Sequence, residues 1–211
     1  MKKKFKSVLC LTLSLVLILG TVAPVLAAKP AAEPEGPFTQ EDFLTTRKRK
    51  IVNQRGETIR LKGVNLGGWL IQEDWLCPYE QVSDNYELLE TLIERFGLQK
   101  AYELVNTYED NFITAYDLDQ IAEMGFNCVR VPFWYRNFYY DDNGTKILDE
   151  NGEWDFSRLD WVVNECSERR LYVILDMHGA PGFQSDAPHN GKGDSNGLYD
   201  LTPQGKRNRE L

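Results

Sequence analysis

Three apolar runs of this sequence end in polar side chains that can do chemistry. Asn65 closes "LKGVN", Arg130 sits inside "FNCVRVPF", and Asp176 and His178 close "LYVILDMHG". A guanidinium in an apolar strand is costly to bury unless a carboxylate pairs with it, so Arg130 is expected to have an acid nearby. Asp176 is the expected support for Arg130 or for the neighbouring backbone. One such residue alone is as often a structural hydrogen-bonder, whereas four converging from three strands describe a pocket with convergent polar groups. His178 and His189 are the two histidines of the chain. No third ligand recurs at metal spacing, so no metal site is expected. The sequence holds neither a phosphate-cradling loop nor a dinucleotide fingerprint, and no cofactor is expected.

The elements that must position these groups are legible in the hydrophobic period. Alternate residues of a strand share a face. Gly63 and Asn65, then Cys128, Arg130 and Pro132, then Tyr172, Ile174, Asp176 and His178 therefore form three such faces. Between the first two runs, Leu88, Leu89, Leu92, Ile93 and Phe96 share one helical stripe, and Leu98, Ala101 and Val105 another. "TAYDLDQIAEMG" opens with Thr114 as N-cap and Asp117 three residues later, and stops at Gly125. Leu159, Val162, Val163 and Cys166 form the stripe of a helix that leads into the third run. Strand, helix, strand, helix, strand implies right-handed crossovers and a parallel sheet with helices outside, an α/β architecture. If the three faces look into a barrel, the four polar residues meet at the carboxyl ends of its strands, where barrel chemistry sits. Upstream, "KIVNQRGETIRLKGVNL" reads as a β-hairpin about residues 54–57.

Aromatic residues follow the same strand ends. Trp69, Trp75 and Tyr79 come after the first, and Phe133, Trp134, Tyr135, Phe138, Tyr139 and Tyr140 after the second. Their flat faces suit the C–H-rich faces of sugar rings, and about half are expected to be core. Rings with carboxylates and amides make a carbohydrate cleft the natural expectation. Asn143-Gly144-Thr145 matches a glycosylation acceptor and reads as a plain turn; the ligand spacing of an EF-hand is absent.

Composition bounds the rest. With 42% hydrophobic and 27% charged residues, the chain has the makings of an ordinary core. Lys2, Lys3, Lys4 and Lys6 precede an uncharged run ending in Val25-Leu26-Ala27, which reads as a secretory signal over residues 1–27. That run is just long enough to span a bilayer, so an uncleaved anchor is the alternative. Cleavage removes four lysines and no acid, and the net charge of −8 becomes −12. Such a surface repels nucleic acid and anionic membranes, and "RKRK" at residues 47–50 reads as the solvated face of an edge strand. Residues 28–38 are rich in Ala, Pro, Glu and Gly and read as a linker. Cys77, Cys128 and Cys166 remain, an odd count without close spacing that argues against a disulfide framework or a zinc site.

"LKGVNLGGWLIQEDW", "MGFNCVRVPFWY" and "LYVILDMHGAPGFQ" together resemble glycoside hydrolase family 5, in particular its exo-β-1,3-glucanase-like branch, from about Ile51 onward. The resemblance implies a (β/α)8 barrel that cleaves β-glycosidic bonds with retention through two glutamates. It implies that Arg130 supports the nucleophilic carboxylate, that His178 belongs to the active-site set and that Glu73 contacts the sugar at the non-reducing end. Asn65, Trp69, Tyr135 and Asp176 are the further substrate-binding candidates.

The family's acid/base glutamate lies in an Asn-Glu-Pro motif after the fourth strand, and this sequence has none. Asn164-Glu165 has the dipeptide but falls on the outer face of a helix. The expectation is therefore the N-terminal part of a TIM barrel, its first three βα units with an N-terminal hairpin, over residues 39–211, the barrel incomplete and both catalytic glutamates absent. By itself such a product is expected to be inactive and poorly folded, because its third strand would be an open apolar edge. The expected partner is a β-glucan oligo- or polysaccharide, with β-1,4-glucan or mannan, or a non-catalytic glycan-binding role, as alternatives. The full-length protein is expected to be secreted, monomeric and free of stable membrane association once the signal is cut.

Overall fold

The computed structural model describes residues 36–76 and 82–211. The signal segment, the linker as far as residue 35, Cys77 and Tyr79 lie outside the described residues.

Two short strands, β1 (Thr45–Arg47) and β2 (Lys50–Val52), pair antiparallel through a turn in which Lys48 adopts φ 57°. "RKRK" thus closes the hairpin, with Arg47 ending β1, Lys50 opening β2 and all four charges exposed. The turn expected at residues 54–57 is also formed, with the Asn53 N–H donating to the Glu57 carbonyl at 3.1 Å. Beyond it the chain makes a single bridge, Val52 to Thr58, instead of a second strand. The ladder stops because Lys62 is drawn away. Its N–H donates to Asn127 Oδ1 at 2.8 Å, and its carbonyl accepts the Asn127 N–H at 2.9 Å, leading the chain into the main sheet.

That sheet contains β3 (Gly63–Asn65), β4 (Cys128–Trp134) and β5 (Tyr172–Gly179), parallel and in that order. Asn65 lies opposite Arg130, Arg130 opposite Ile174, and Pro132 opposite Asp176. Between β3 and β4 come α1 (Asn85–Phe96), α2 (Leu98–Phe112) and α3 (Ala115–Glu123). Between β4 and β5 lies α4 (Ser157–Glu168), and after β5 comes α5 (Pro203–Glu210). The Asp84 carboxylate caps α1 by accepting the Glu87 N–H at 2.8 Å, and Asp117 accepts the Thr114 N–H at 2.8 Å in the expected capping box.

The core lies between the helices and the sheet face opposite the polar residues. Val129 and Val131 of β4 are fully buried with Leu118 of α3 and with Val162 and Cys166 of α4. Each such aliphatic side chain contributes roughly 1.5–3 kcal/mol of burial free energy. Cys128 and Cys166 are free thiols that pack as small hydrophobes, and burial pushes the Cys166 thiol up to about 12. Val163, expected on the same stripe, is 39% exposed and lines a cavity of about 650 Å³ beside Leu171 and Leu175. Among the described residues β5 pairs with β4 alone, and its Ile174, Leu175 and Met177 are 45–51% exposed. The apolar open edge expected from the sequence is therefore present.

The hairpin segment is tied beneath this sheet by one buried acid. Asp42 accepts from Arg55 and Arg170, both at 2.8 Å, and from the Thr39 N–H at 2.9 Å. Burial pushes its carboxyl up, but these donors outweigh burial and hold it far below the usual carboxylate range. Among the described residues no helix is long and apolar enough to cross a membrane.

Candidate functional site

Strand alternation and parallel register bring the four polar residues together. Arg130 donates from Nη2 to Asp176 Oδ2 at 2.5 Å, and its Nη1 lies 3.4 Å from Asn65 Oδ1. His178 Nδ1 is 2.9 Å from the same Asp176 oxygen and 3.1 Å from Arg130 Nη2. Asp176 thus supplies the carboxylate expected beside Arg130. With Nδ1–H donating to Asp176, the free nitrogen of His178 is Nε2. The Arg130, Asp176 and His178 side chains are 33%, 29% and 26% exposed. They are held by one another yet reachable from solvent.

The turn after β5 holds His178 in place from the backbone side. Gln184 donates from Nε2 to the His178 carbonyl at 2.6 Å and accepts the Ala180 N–H at 3.1 Å. Glu73, on the loop after β3, is half-buried and joins the cluster electrostatically. Burial raises its carboxyl above the usual range, while His178, His189 and Arg130 pull it back down. Trp75 lies two residues further on with 61% of its surface exposed, a flat apolar face available to a ligand.

Two expected substrate contacts are not brought to this place. Trp69 is 1% exposed, donates its indole N–H to the Glu109 carbonyl at 2.8 Å and packs edge-on against Trp161. Tyr135 is equally buried, packs edge-on against Trp134 and Phe183 and donates its hydroxyl to Asp142 at 2.5 Å. Both rings are core, because their polar atoms find partners inside the protein and their faces meet other rings. Of the aromatic residues noted in the sequence, Phe133, Trp134, Phe138 and Tyr139 are buried as well. Glu165 lies on α4 and pairs with Arg169 one turn later at 2.6 Å, away from the polar cluster.

Two groups, Arg136 and Glu109, escaped the sequence reading, and a third, His189, was weighed there as a metal ligand alone. His189 stands in a one-turn helix, Pro188–Asn190, with its ring centroid 5.6 Å from that of His178. Arg136 is 2% exposed and joins α1 to the loop after β4 through Glu90 at 3.0 Å and the Tyr140 carbonyl at 2.7 Å. Glu109 is buried at the end of α2, where it meets Arg158 at 2.8 Å and Asn137 at 3.3 Å beside a cavity of about 310 Å³. Its carboxyl is pushed up to about 7 by burial, with Arg158 pulling the other way. Only Asn137, embedded in the aromatic run, hints at such a partner in the sequence. Among the described residues no group of three or more His, Cys, Asp or Glu side chains is placed to hold a metal ion.

Residues 90–200 match the family model described as Cellulase (glycosyl hydrolase family 5). The chain is 31% identical over 72% of its length to a beta-xylosidase of Phanerodontia chrysosporium, covering 30% of that protein. It is 35% identical over 68% of its length to a probable glucan 1,3-beta-glucosidase A of Aspergillus clavatus, covering 33% of it. The chain thus spans about a third of the length of the curated relatives it matches. Its fold is similar to the crystal structure of rutinosidase from Aspergillus niger, with TM-score 0.51 and 20% identity over 70% of this chain and 42% of that one.

Proposed function

The chain belongs to glycosyl hydrolase family 5, and from that premise we propose that it supplies the sugar-gripping side of a retaining β-glucan hydrolase, with exo-β-1,3-glucanase-like specificity. The described sheet then corresponds to the first three βα units of a (β/α)8 barrel, preceded by a hairpin. The observation that carries this reading is the Asn65–Arg130–Asp176–His178 cluster at the carboxyl ends of three parallel strands, with Glu73 beside it. In a barrel such a position is where substrate binds.

The chemistry follows from the groups. A retaining enzyme places two carboxyl groups about 5–5.5 Å apart, one protonating the leaving oxygen and the other attacking the anomeric carbon. Arg130, fixed by Asp176, holds a neighbouring nucleophilic carboxylate ionised by its charge. His178 hydrogen-bonds that carboxylate or the sugar, and Glu73 accepts hydroxyls of the terminal ring. Hydrolysis itself is assigned to a protein that carries both glutamates, since this sequence holds no Asn-Glu-Pro. A relative named for glucan 1,3-linkages supports the β-1,3 choice, and one named for β-xylosides defines the competing ligand. Export through residues 1–27, an extracellular location and a monomeric full-length protein complete the proposal.

Calorimetric titration with laminaribiose, cellobiose, mannobiose and xylobiose tests it. Binding that ranks laminaribiose first supports the reading; no affinity for any of the four overturns it. A protein carrying both glutamates that binds laminaribiose and releases no reducing sugar is the non-catalytic alternative.

A further inference from the structure

His189 has no helical or strand period around it, yet the fold spends several contacts on placing it. Its one-turn helix ends at Gly191, whose φ of 102° favours glycine and whose position would drive a Cβ to 2.8 Å from the Trp134 ring. Gly179 lies under the same segment, and a Cβ there would collide with the Asn190 carbonyl. Asn190 is completely buried and accepts the Lys192 N–H at 3.1 Å. The segment is then fastened to the start of α1 at two points. The Gly191 carbonyl accepts the Tyr86 N–H at 2.8 Å, and Asp84, already the cap of that helix, accepts the Gly193 N–H at 2.9 Å.

The result is a rigid turn whose half-buried imidazole faces His178 at 5.6 Å and acts electrostatically on Glu73. In Asp176 and Arg130, His178 already has partners that fix it. Among the described residues no hydrogen bond engages the His189 ring, so its nitrogens are available to a ligand that enters between it and Glu73.

We infer that His189 is a direct sugar contact of this site, hydrogen-bonding a hydroxyl of the same terminal ring that Glu73 holds. This deepens the function proposed above and rests on it. A carboxylate accepts from two hydroxyls but donates to none, whereas an imidazole both donates and accepts, so the pair fixes a ring by complementary bonds. Pre-placed groups of this kind lose little freedom on binding, which is what the glycine seats and the Asp84 fastening provide.

The test is calorimetry of methyl β-D-glucoside and its 3-, 4- and 6-deoxy analogues with the full chain. His189→Ala is expected to weaken the glucoside about tenfold, the scale of one hydrogen bond in a partly desolvated site. His189→Gln, which keeps a donor and an acceptor, is expected to recover most of that loss. One deoxy analogue should lose about as much with the wild type and nothing further with His189→Ala, the coupling that marks a direct contact. A wild type that binds while His189→Ala binds equally well overturns this inference and leaves the proposed function standing. Additive losses for every deoxy analogue reduce His189 to a structural residue and likewise overturn it. A wild type without affinity for the glucoside overturns both.

Discussion

Replacing Glu109 by glutamine is expected to stabilise the protein above neutral pH and to leave it unchanged in acid. The Glu109 carboxyl is 5% exposed, and burial, reinforced by the repulsion of Asp110, raises it from 4.5 to about 7 despite the attraction of Arg158 at 2.8 Å. The folded-state value lies above the unfolded one, so this group's contribution is fully present below about pH 4.5 and is lost as the pH rises to about 7. About 2.5 pH units at about 1.4 kcal/mol each amount to about 3 kcal/mol. The Arg158 attraction is already contained in that figure, because it acts on the ionised form. Glutamine imitates the protonated acid and cannot ionise. For a chain of this size the difference amounts to roughly 6–12 °C in melting temperature. Thermal melts of both proteins from pH 4.5 to 8 measure it: the curves should coincide in acid and separate steadily until about pH 7. Parallel curves, or a variant less stable than wild type at pH 8, would refute the buried-acid account of how α2 meets the loop after β4.

Asp42→Asn is expected to cost about 3 kcal/mol at neutral pH by leaving Arg55 and Arg170 without their shared buried carboxylate, a loss read by urea unfolding. Because the folded-state Asp42 carboxyl is held far below its usual range, its stabilisation is present at neutral pH and fades in acid, where wild type and variant should converge. Asp84→Ala removes both the cap of α1 and the bond to Gly193, and a loss of about 2 kcal/mol is expected in the same assay. Leu175→Lys places a charge on the open edge of β5 and should reduce concentration-dependent light scattering; unchanged scattering would clear that edge of any role in self-association.

The polar cluster was legible in the sequence because period two, three apolar runs and parallel pairing suffice to place Asn65, Arg130, Asp176 and His178 on one side. Thr114 and Asp117 were legible for a more local reason, since a capping box lies within one turn. Trp69 and Tyr135 were misplaced because an aromatic ring is equally at home against a sugar and in a core. Whether an indole N–H meets Glu109 or solvent is decided 40 residues away. The hairpin ladder formed one turn upstream of residues 54–57 for a similar reason. The β-prone runs on either side compete on equal local terms, and Asn127 settles the matter by recruiting Lys62. His189 was invisible as a binding group because its placement depends on Gly191 seated on Trp134 and on a fastening to α1, neither of which leaves a periodic trace.

The two imidazoles of this chain make the decisive measurement direct. Their proton–nitrogen correlation spectrum, recorded while laminaribiose is added, reports on His178 and His189 and on no other side chain of that type. A sugar gripped at the ends of β3, β4 and β5 shifts both signals along one saturation curve, and Arg130→Lys, which removes the guanidinium that spans Asn65 and Asp176, weakens that curve. Two imidazoles that stay unmoved while the saccharide binds elsewhere would contradict the placement of the site.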